Sequence, residues 1–507
     1  MTGPATGDGH VAVIDIGKTN VKLVLVDPAT LAEVAVVTRP NRVLPAAPWP
    51  HFDLDGHWAF VLHHLGALHR ARGIGAIAVA AHGAAGVLID RDGALAAPML
   101  DYEHAGPDTL AAAYDALRPP FAETGSPRLP GGLNLGAQLH WQMAVMPELR
   151  GRVAQLLTYP QYWGFRLSGE RATDVTSLGC HTDLWNPWRG EPSALVARLG
   201  LAGRIAPPRR PAETLGTLRP EIARATGLPP ATTVAVGIHD SNASLLPHLL
   251  GRPAPFAVLS SGTWVVAMAV GGDPVPLDPA RDTLVNVSAL GRPVPTARFM
   301  GGREFDRLCA GAAAEPEAAD RRAVLRRGVL RLPAVEPGSG PFRGCAGGWT
   351  VEPATPGERR VAAGHYLALM ADTCLALIGA RGPVIIEGPL ARNADVCAML
   401  AALRPDGVAV AAAATGTAAG AALLCAGAAA RPQTRAIAAP EAAEALGALA
   451  RRWRAEAAAL RRRSAAQSLK PIIEAEETRC APHADPIRHH QRRESPPNRS
   501  GEGDRRG

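Results

Sequence analysis

Residues 11–27, Val-Ala-Val-Ile-Asp-Ile-Gly-Lys-Thr-Asn-Val-Lys-Leu-Val-Leu-Val-Asp, constrain the fold of this chain more than any other stretch. The runs at 11–14 and 21–26 are rich in Val, Ile and Leu and predict two strands, joined by a tight turn from Gly17 to Asn20. Backbone N–H groups in such a turn, helped by Lys18, Thr19 and Asn20, can cradle phosphate oxygens. Asp15, where the first run ends, can hold a Mg²⁺ ion through water. An ordinary buried hairpin is the alternative that these residues alone leave open.

Residues 256–270, Phe-Ala-Val-Leu-Ser-Ser-Gly-Thr-Trp-Val-Val-Ala-Met-Ala-Val, repeat the design, with a small polar turn at Ser260 to Thr263 between two apolar runs. Two phosphate-type hairpins therefore lie almost half a chain apart. Between them, the strand-like Val-Ala-Val-Gly-Ile runs into His239 and Asp240, which puts an acid at the mouth of a sheet, where ligands of open α/β folds bind. A carboxylate there can orient a hydroxyl and accept its proton during phosphoryl transfer. Its competing reading is a cap on the helix that starts at Ser241.

A third segment, Val-Ile-Ile-Glu-Gly-Pro-Leu-Ala-Arg-Asn-Ala-Asp at 384–395, takes a strand into a Gly-Pro turn and a helix beginning near Asn393. Such a turn lets backbone lie close against a flat ring or a ribose. Thr415, Gly416, Thr417 and Gly420 bring small residues just downstream.

The 507 residues suffice for two to three domains, and alternating strand-like and helix-like runs predict an α/β class. Strand patterns at 76–81, 86–89 and 234–238 and helix patterns at 57–71, 108–117 and 134–150 fill the first half. The formal charge is +7, but residues 461–507 carry 11 Lys/Arg against 7 Asp/Glu, which leaves the body close to neutral. With five Tyr, eight Phe and no basic stretch interleaved with aromatics, nucleic-acid binding is not indicated.

The seven cysteines, Cys180, Cys309, Cys345, Cys374, Cys397, Cys425 and Cys480, are scattered without a C-x-x-C pair. A reducing cytoplasm fits them, and neither a disulfide framework nor a zinc site does. Residues 1–10 lack the charged start and apolar core of a leader, and the Ala-rich stretch 407–430 reads as buried strand and helix, with no membrane span expected.

In their order along residues 11–430, Asp-Ile-Gly-Lys-Thr-Asn at 15–20, Gly-Ile-His-Asp at 237–240, Ser-Ser-Gly-Thr-Trp at 260–264 and the glycine turn at 388 resemble the FGGY carbohydrate kinases. Within that family, Arg166-Leu-Ser-Gly-Glu170 followed by Thr173, Asp174, Thr176 and Gly179 looks most like the fuculokinase and rhamnulokinase branch. The resemblance implies a two-domain actin-like ATPase (ribonuclease H-like) fold with an interdomain cleft, and transfer of the γ-phosphate of ATP, with Mg²⁺, to a small ketose or deoxyketose.

Carried over by position, it implies phosphate contacts at Gly17, Lys18, Thr19, Asn20, Gly262 and Thr263, and Asp15 near the metal. Asp240 would be the base. Gly388 and Asn393 would face the adenosine with Gly416 and Thr417 nearby, and the sugar would meet His82, Asp101, Glu103, Asp174 and Asp240. A sugar and ATP are the implied partners, with a homodimer allowed. The implied organisation is a sugar-binding domain at 11–245 and a nucleotide-binding domain at 254–430; a helical segment follows at 431–462, and composition predicts disordered ends at 1–10 and 463–507.

Four positions depart from the family pattern. Glu387-Gly388-Pro389 stands where consecutive glycines are usual, and Lys18 where many relatives have a small residue. Ala84-Ala85 replaces an acid, and Glu103 stands where many have Asp. The last two lie in the sugar segment. A sugar-binding or regulatory protein that kept the fold and lost turnover is the alternative these departures motivate.

Overall fold

The computed structural model describes residues 9–311, 315–411, 416–426 and 433–480, with 468–480 as backbone. The chain divides into two compact units, Met1–Ala458 and Ala459–Gly507, and both large sheets belong to the first.

The strand His10–Ile16 is central in the first sheet and is buried on both faces, which is why its sequence is nearly continuously apolar. With a period of two, Val11 and Val13 enter one core while Ala12, Ile14 and Ile16 enter another. Asp15 falls on the face of Val11 and Val13. The strand pairs antiparallel with Asn20–Val26 and parallel with Ile74–Ala81. Glu33–Pro40 edges one side of this sheet, while Thr233–Ala235 and Thr214–Thr217 complete the other.

The second sheet repeats the arrangement. Phe256–Ser261 pairs antiparallel with Val265–Val270 and parallel with Val384–Ile386. Pro293–Phe299 and Thr283–Val287 extend it beyond the hairpin, and Val408–Ala411 and Thr434–Ile437 extend it on the parallel side. Each lobe thus carries its hairpin at the same place in an equivalent sheet, as the repeated sequence design requires.

Two helices couple the lobes. Asp240–Gly251 sends Ala243 and Leu246 into the core of the first sheet and Leu245 into the core of the second, beside Phe256, Val258 and Ile385. The Ala-rich helix Thr417–Ala426 packs on the Ala76, Ala78 and Ala80 face of the first sheet. They cross closely: a side chain at Gly420 would meet the Ala243 carbonyl oxygen at 1.8 Å. Small residues on three surfaces make this crossing possible, and full burial of its Leu and Val side chains stabilises it by about 1.5–3 kcal/mol each.

The helix Asp240–Gly251 runs through the sequence boundary expected at 245, and the sheet strand Thr434–Ile437 lies past the one expected at 430. The last helix, Ala443–Cys480, continues beyond 463, where composition predicts disorder. Its Ala, Glu and Arg content favours helix, which a count of missing apolar residues does not register. Residues 1–8 and 481–507 of the expected disordered ends lie outside the described residues. No described helix is long and apolar enough to cross a membrane.

Candidate active site

The first hairpin turns as expected, with Gly17 N–H donating to the Asn20 carbonyl at 2.9 Å. Thr19 is exposed, and Gly17, Lys18 and Asn20 are half-buried. A buried support fixes this turn from beneath. Asn41 donates its side-chain amide to the Gly17 carbonyl (2.8 Å) and its backbone N–H to the Thr19 carbonyl (2.9 Å), and His57 Nε2 meets Asn41 Oδ1 at 2.8 Å. Burial, then the Arg39 charge, pushes His57 down to about 4, so its imidazole is neutral at pH 7.

The second hairpin leaves Gly262 and Thr263 exposed, and its support is tied to the Gly-Pro turn. Ser261 Oγ donates to the Glu387 carbonyl and accepts from Leu390 N–H at 3.0 Å, while the Glu387 carboxylate meets His248 Nε2 at 2.7 Å. Gly388 has φ of 73°, and a side chain there would meet the Ser261 carbonyl oxygen at 2.0 Å, so this position requires glycine. Asn393 caps the helix Ala394–Leu403, accepting from Asp395 and Val396 N–H groups.

A cavity of about 510 Å³ opens here, lined by Gly262, Thr263, Gly302, Leu390 and Asn393 among others. Gly416 and Thr417 stand apart from its walls at the start of the Ala-rich helix, Gly416 close to Glu33. Thr415 lies outside the described residues.

A larger cavity of about 710 Å³ lies between the lobes, with His82, Tyr102, Glu103, Cys180, His181, His239 and Ser241 on one side and Trp264, Asn286 and Arg298 on the other. His82 packs against Phe52, Tyr102 and Tyr159. Burial pushes its imidazole down to about 4, and its Nε2 has no hydrogen-bond partner among the described residues. A neutral ring nitrogen in a cavity wall is free to meet a ligand hydroxyl.

Lys18, expected among the phosphate contacts, directs its ammonium to the segment that carries Tyr102 and Glu103 of this larger cavity's wall. It ion-pairs with Asp101, lies 3.3 Å from Glu103, and sits over the Phe52 and Tyr102 rings at 4.9 and 4.8 Å. The lysine thereby holds together the wall that carries both carboxylates.

Asp240 is the first residue of its helix, with its neighbours His239 and Ser241 lining the larger cavity. His239 occupies the N-cap position and no side chain caps the helix, so Asp240 is not the cap residue. Its Oδ1 accepts from Ser241 N–H at 2.6 Å and lies 3.1 Å from His239 Nε2. Burial opposes charge on His239, but Cys180 and then Asp240 outweigh it and raise the imidazole's pKa. Cys180 Sγ is 3.7 Å from the same Nε2, and the neighbouring His181 and His239 charges lower its pKa despite burial.

Asp174, expected to touch the sugar, is fully buried. It caps a short helix, accepting from the Thr176 and Ser177 N–H groups and from the Thr176 hydroxyl. Thr176 Oγ1 in turn accepts from His239 N–H at 2.9 Å. Asp174 therefore supports the strand end that delivers His239 and Asp240.

Asp15 is pushed up to about 6, first by burial and then by the Asp240 charge. Lys22 Nζ, 4.0 Å away, compensates only in part. Asp15 and the neighbouring Asp240 carry the hard carboxylate oxygens that Mg²⁺ prefers. Among the described residues no group of three or more His, Cys, Asp or Glu is poised to hold a metal.

Sequence reasoning missed Cys180, His181, His239 and Gly302. His239 carried a signal, since it precedes the acid in Gly-Ile-His-Asp; the others are brought in by distant elements.

Residues 10–247 match the FGGY family of carbohydrate kinases, N-terminal domain, and residues 253–468 match carbohydrate kinase FGGY, C-terminal domain. A carbohydrate kinase from Novosphingobium aromaticivorans is 39% identical, with a TM-score of 0.82 over 88% of this chain and 100% of that one. L-fuculokinase of Salmonella typhi is 27% identical over 271 residues, 52% of this chain and 57% of that protein, so the match spans little more than half of it. A xylulose kinase from Lactobacillus acidophilus, 15% identical with a TM-score of 0.73 over 89% of this chain and 98% of its own, shares the actin-like fold. The chain belongs to the FGGY family of carbohydrate kinases.

Proposed function

We propose that this chain transfers the γ-phosphoryl of ATP to a hydroxyl of a small ketose or deoxyketose, with L-fuculose or L-rhamnulose as the leading candidates, in a reducing cytoplasm. The observation that carries the reading is the position of Asp240. Its neighbours His239 and Ser241 line the larger cavity, and Asp240 itself lies close enough to Asp15 of the first hairpin for its charge to raise that residue's pKa. The six described cysteines are free, in keeping with the compartment.

The larger cavity takes the sugar, with His82 and Glu103 meeting hydroxyls and Lys18 and Asp101 fixing the wall behind them. The smaller cavity takes the adenosine against the Gly388 turn and Asn393, and the turns at Gly17–Asn20 and Gly262–Thr263 meet the phosphates. Asp15 would hold Mg²⁺, which when bound neutralises phosphate charge. Asp240 orients the sugar hydroxyl and accepts its proton as the oxygen bonds to the γ-phosphorus; the bond from that phosphorus to the β,γ-bridging oxygen breaks and its electron pair leaves with ADP.

A panel of ketoses, deoxyketoses and polyols in a coupled ADP-release assay tests the reading. At least one sugar should elicit ADP release, with L-fuculose or L-rhamnulose giving the highest kcat/KM. Sugar binding without ADP release would instead leave the alternative of an actin-like sugar-binding or regulatory protein.

A further inference from the structure

Arg303 is the one described residue that lines both cavities. It sits in the first turn of the helix Gly301–Leu308, whose start is locked onto the second hairpin. Gly302 N–H donates to the Thr263 carbonyl at 3.1 Å, and a side chain at Gly302 would meet the Gly262 carbonyl oxygen at 2.1 Å. One residue on, buried Glu304 accepts from the Tyr366 hydroxyl at 3.0 Å and from Glu336 N–H at 2.9 Å, which fixes the rotation of the helix. Arg303 therefore rises from a rigid base beside the phosphate turn.

The other cations nearby are committed. Arg298 is paired with Asp282 at 3.3 Å and lies over Trp264; Arg343 is 3.7 Å from the same Asp282; Arg307 pairs with Glu336 at 2.6 Å. Lys18 is held by Asp101 and Glu103. Arg303 has no ion pair or hydrogen bond among the described residues, and its guanidinium is exposed at the junction where nucleotide and sugar would meet. An exposed arginine is ordinarily just solvated. This one borders two cavities from a backbone that cannot shift, and the first hairpin's own lysine is turned away.

Resting on the kinase reading, we propose that Arg303 is a catalytic residue that binds the γ-phosphoryl oxygens as the group moves from ADP to the sugar. The planar guanidinium can reach two phosphoryl oxygens at once and offset the charge that spreads over them in the transition state. It replaces, from the second lobe, the positive charge that the sequence suggested Lys18 would bring from the first. Proton and leaving group go as described above, to Asp240 and ADP.

Arg303→Ala and Arg303→Lys are compared with Arg322→Ala, a change at an exposed arginine on a different helix. Two readouts are taken: kcat with the best sugar, and titration-calorimetric affinity for ADP and for the β,γ-imido analogue of ATP. Arg303→Ala should lower kcat on the order of 10²-fold and weaken the analogue about tenfold, with ADP affinity changed less than about twofold. Arg303→Lys should recover part of both losses, and Arg322→Ala should match wild type. Unchanged analogue affinity, or equal losses for ADP and the analogue, would overturn the assignment. Should no sugar be turned over by the wild type, the kinase reading fails by itself, and the contrast between analogue and ADP still decides whether Arg303 meets a γ-phosphate.

Discussion

The two hairpins occupy equivalent places in equivalent sheets, yet they are built from different chemistry. The first carries charge, with Asp15 at its end and Lys18 in its turn; the second presents Gly262 and Thr263 and leaves charge to the helix beneath it. Their supports differ in the same sense. Asn41 and neutral His57 hold the first turn to its own lobe, whereas Ser261, Glu387 and His248 tie the second to the Gly388 turn. On the proposed reading one duplicated frame has been divided: the first hairpin would join phosphate to sugar wall, and the second would join phosphate to nucleotide turn.

The largest effect that could break this division is expected at the residue between the hairpins. Asp240→Ala should lower kcat by about 10²–10⁴-fold, the range of a lost general base, while sugar affinity by calorimetry stays within a few-fold. Turnover near the wild-type rate would remove Asp240 from the reaction.

On the nucleotide side, Gly388→Ala forces a side chain into a positive-φ position against the Ser261 carbonyl, a strain of roughly 1–3 kcal/mol. KM for ATP should rise about tenfold, since 1.4 kcal/mol is a factor of ten, and KM for the sugar should stay put. A rise in both would show that the second hairpin is not dedicated to nucleotide.

Lys18→Met sharpens the other half. Leaving Asp101 and Glu103 without their cation costs on the order of 1–3 kcal/mol, so KM for the sugar should rise about tenfold while KM for ATP moves less than about twofold. The reverse split would return Lys18 to the phosphates.

The remaining expected effect is on stability rather than turnover and concerns the support of the first turn. His57 has a folded pKa of about 4 against an ordinary 6.5, so the unfolded chain binds a proton that the folded chain refuses. Its contribution to stability is complete above pH 6.5 and is lost as pH falls towards 4, by about 3 kcal/mol in all. His57→Gln, which keeps a donor for Asn41 Oδ1, should flatten that decline in thermal melts across the window. An unchanged pH profile would place the acid sensitivity elsewhere.

Both hairpins were legible because period-two burial and a small polar turn leave a local trace, and the acid at 240 because it ends an apolar strand. Direction was not legible. Lys18 is steered by carboxylates at 101 and 103, and Arg303 acquires meaning only when its helix is locked onto a hairpin turn some forty residues earlier in the chain, contacts no local pattern records. Asp174 did carry a local signal of the cap it makes, since Asp followed by Val-Thr-Ser suits a helix N-terminus, while the family likeness pointed to the sugar. The extension of the last helix past 463 was hidden by judging order from apolar content alone, where helix propensity decides.

The central claim is that the two hairpins and Asp240 form a single phosphoryl-transfer site. Phosphorus NMR of the protein with ATP, Mg²⁺ and the best sugar of the panel tests it directly. A sugar monophosphate ester should form one-for-one with ADP, and neither product should form with Asp240→Asn. ADP and free phosphate without an ester, or an undiminished ester signal from Asp240→Asn, would contradict it.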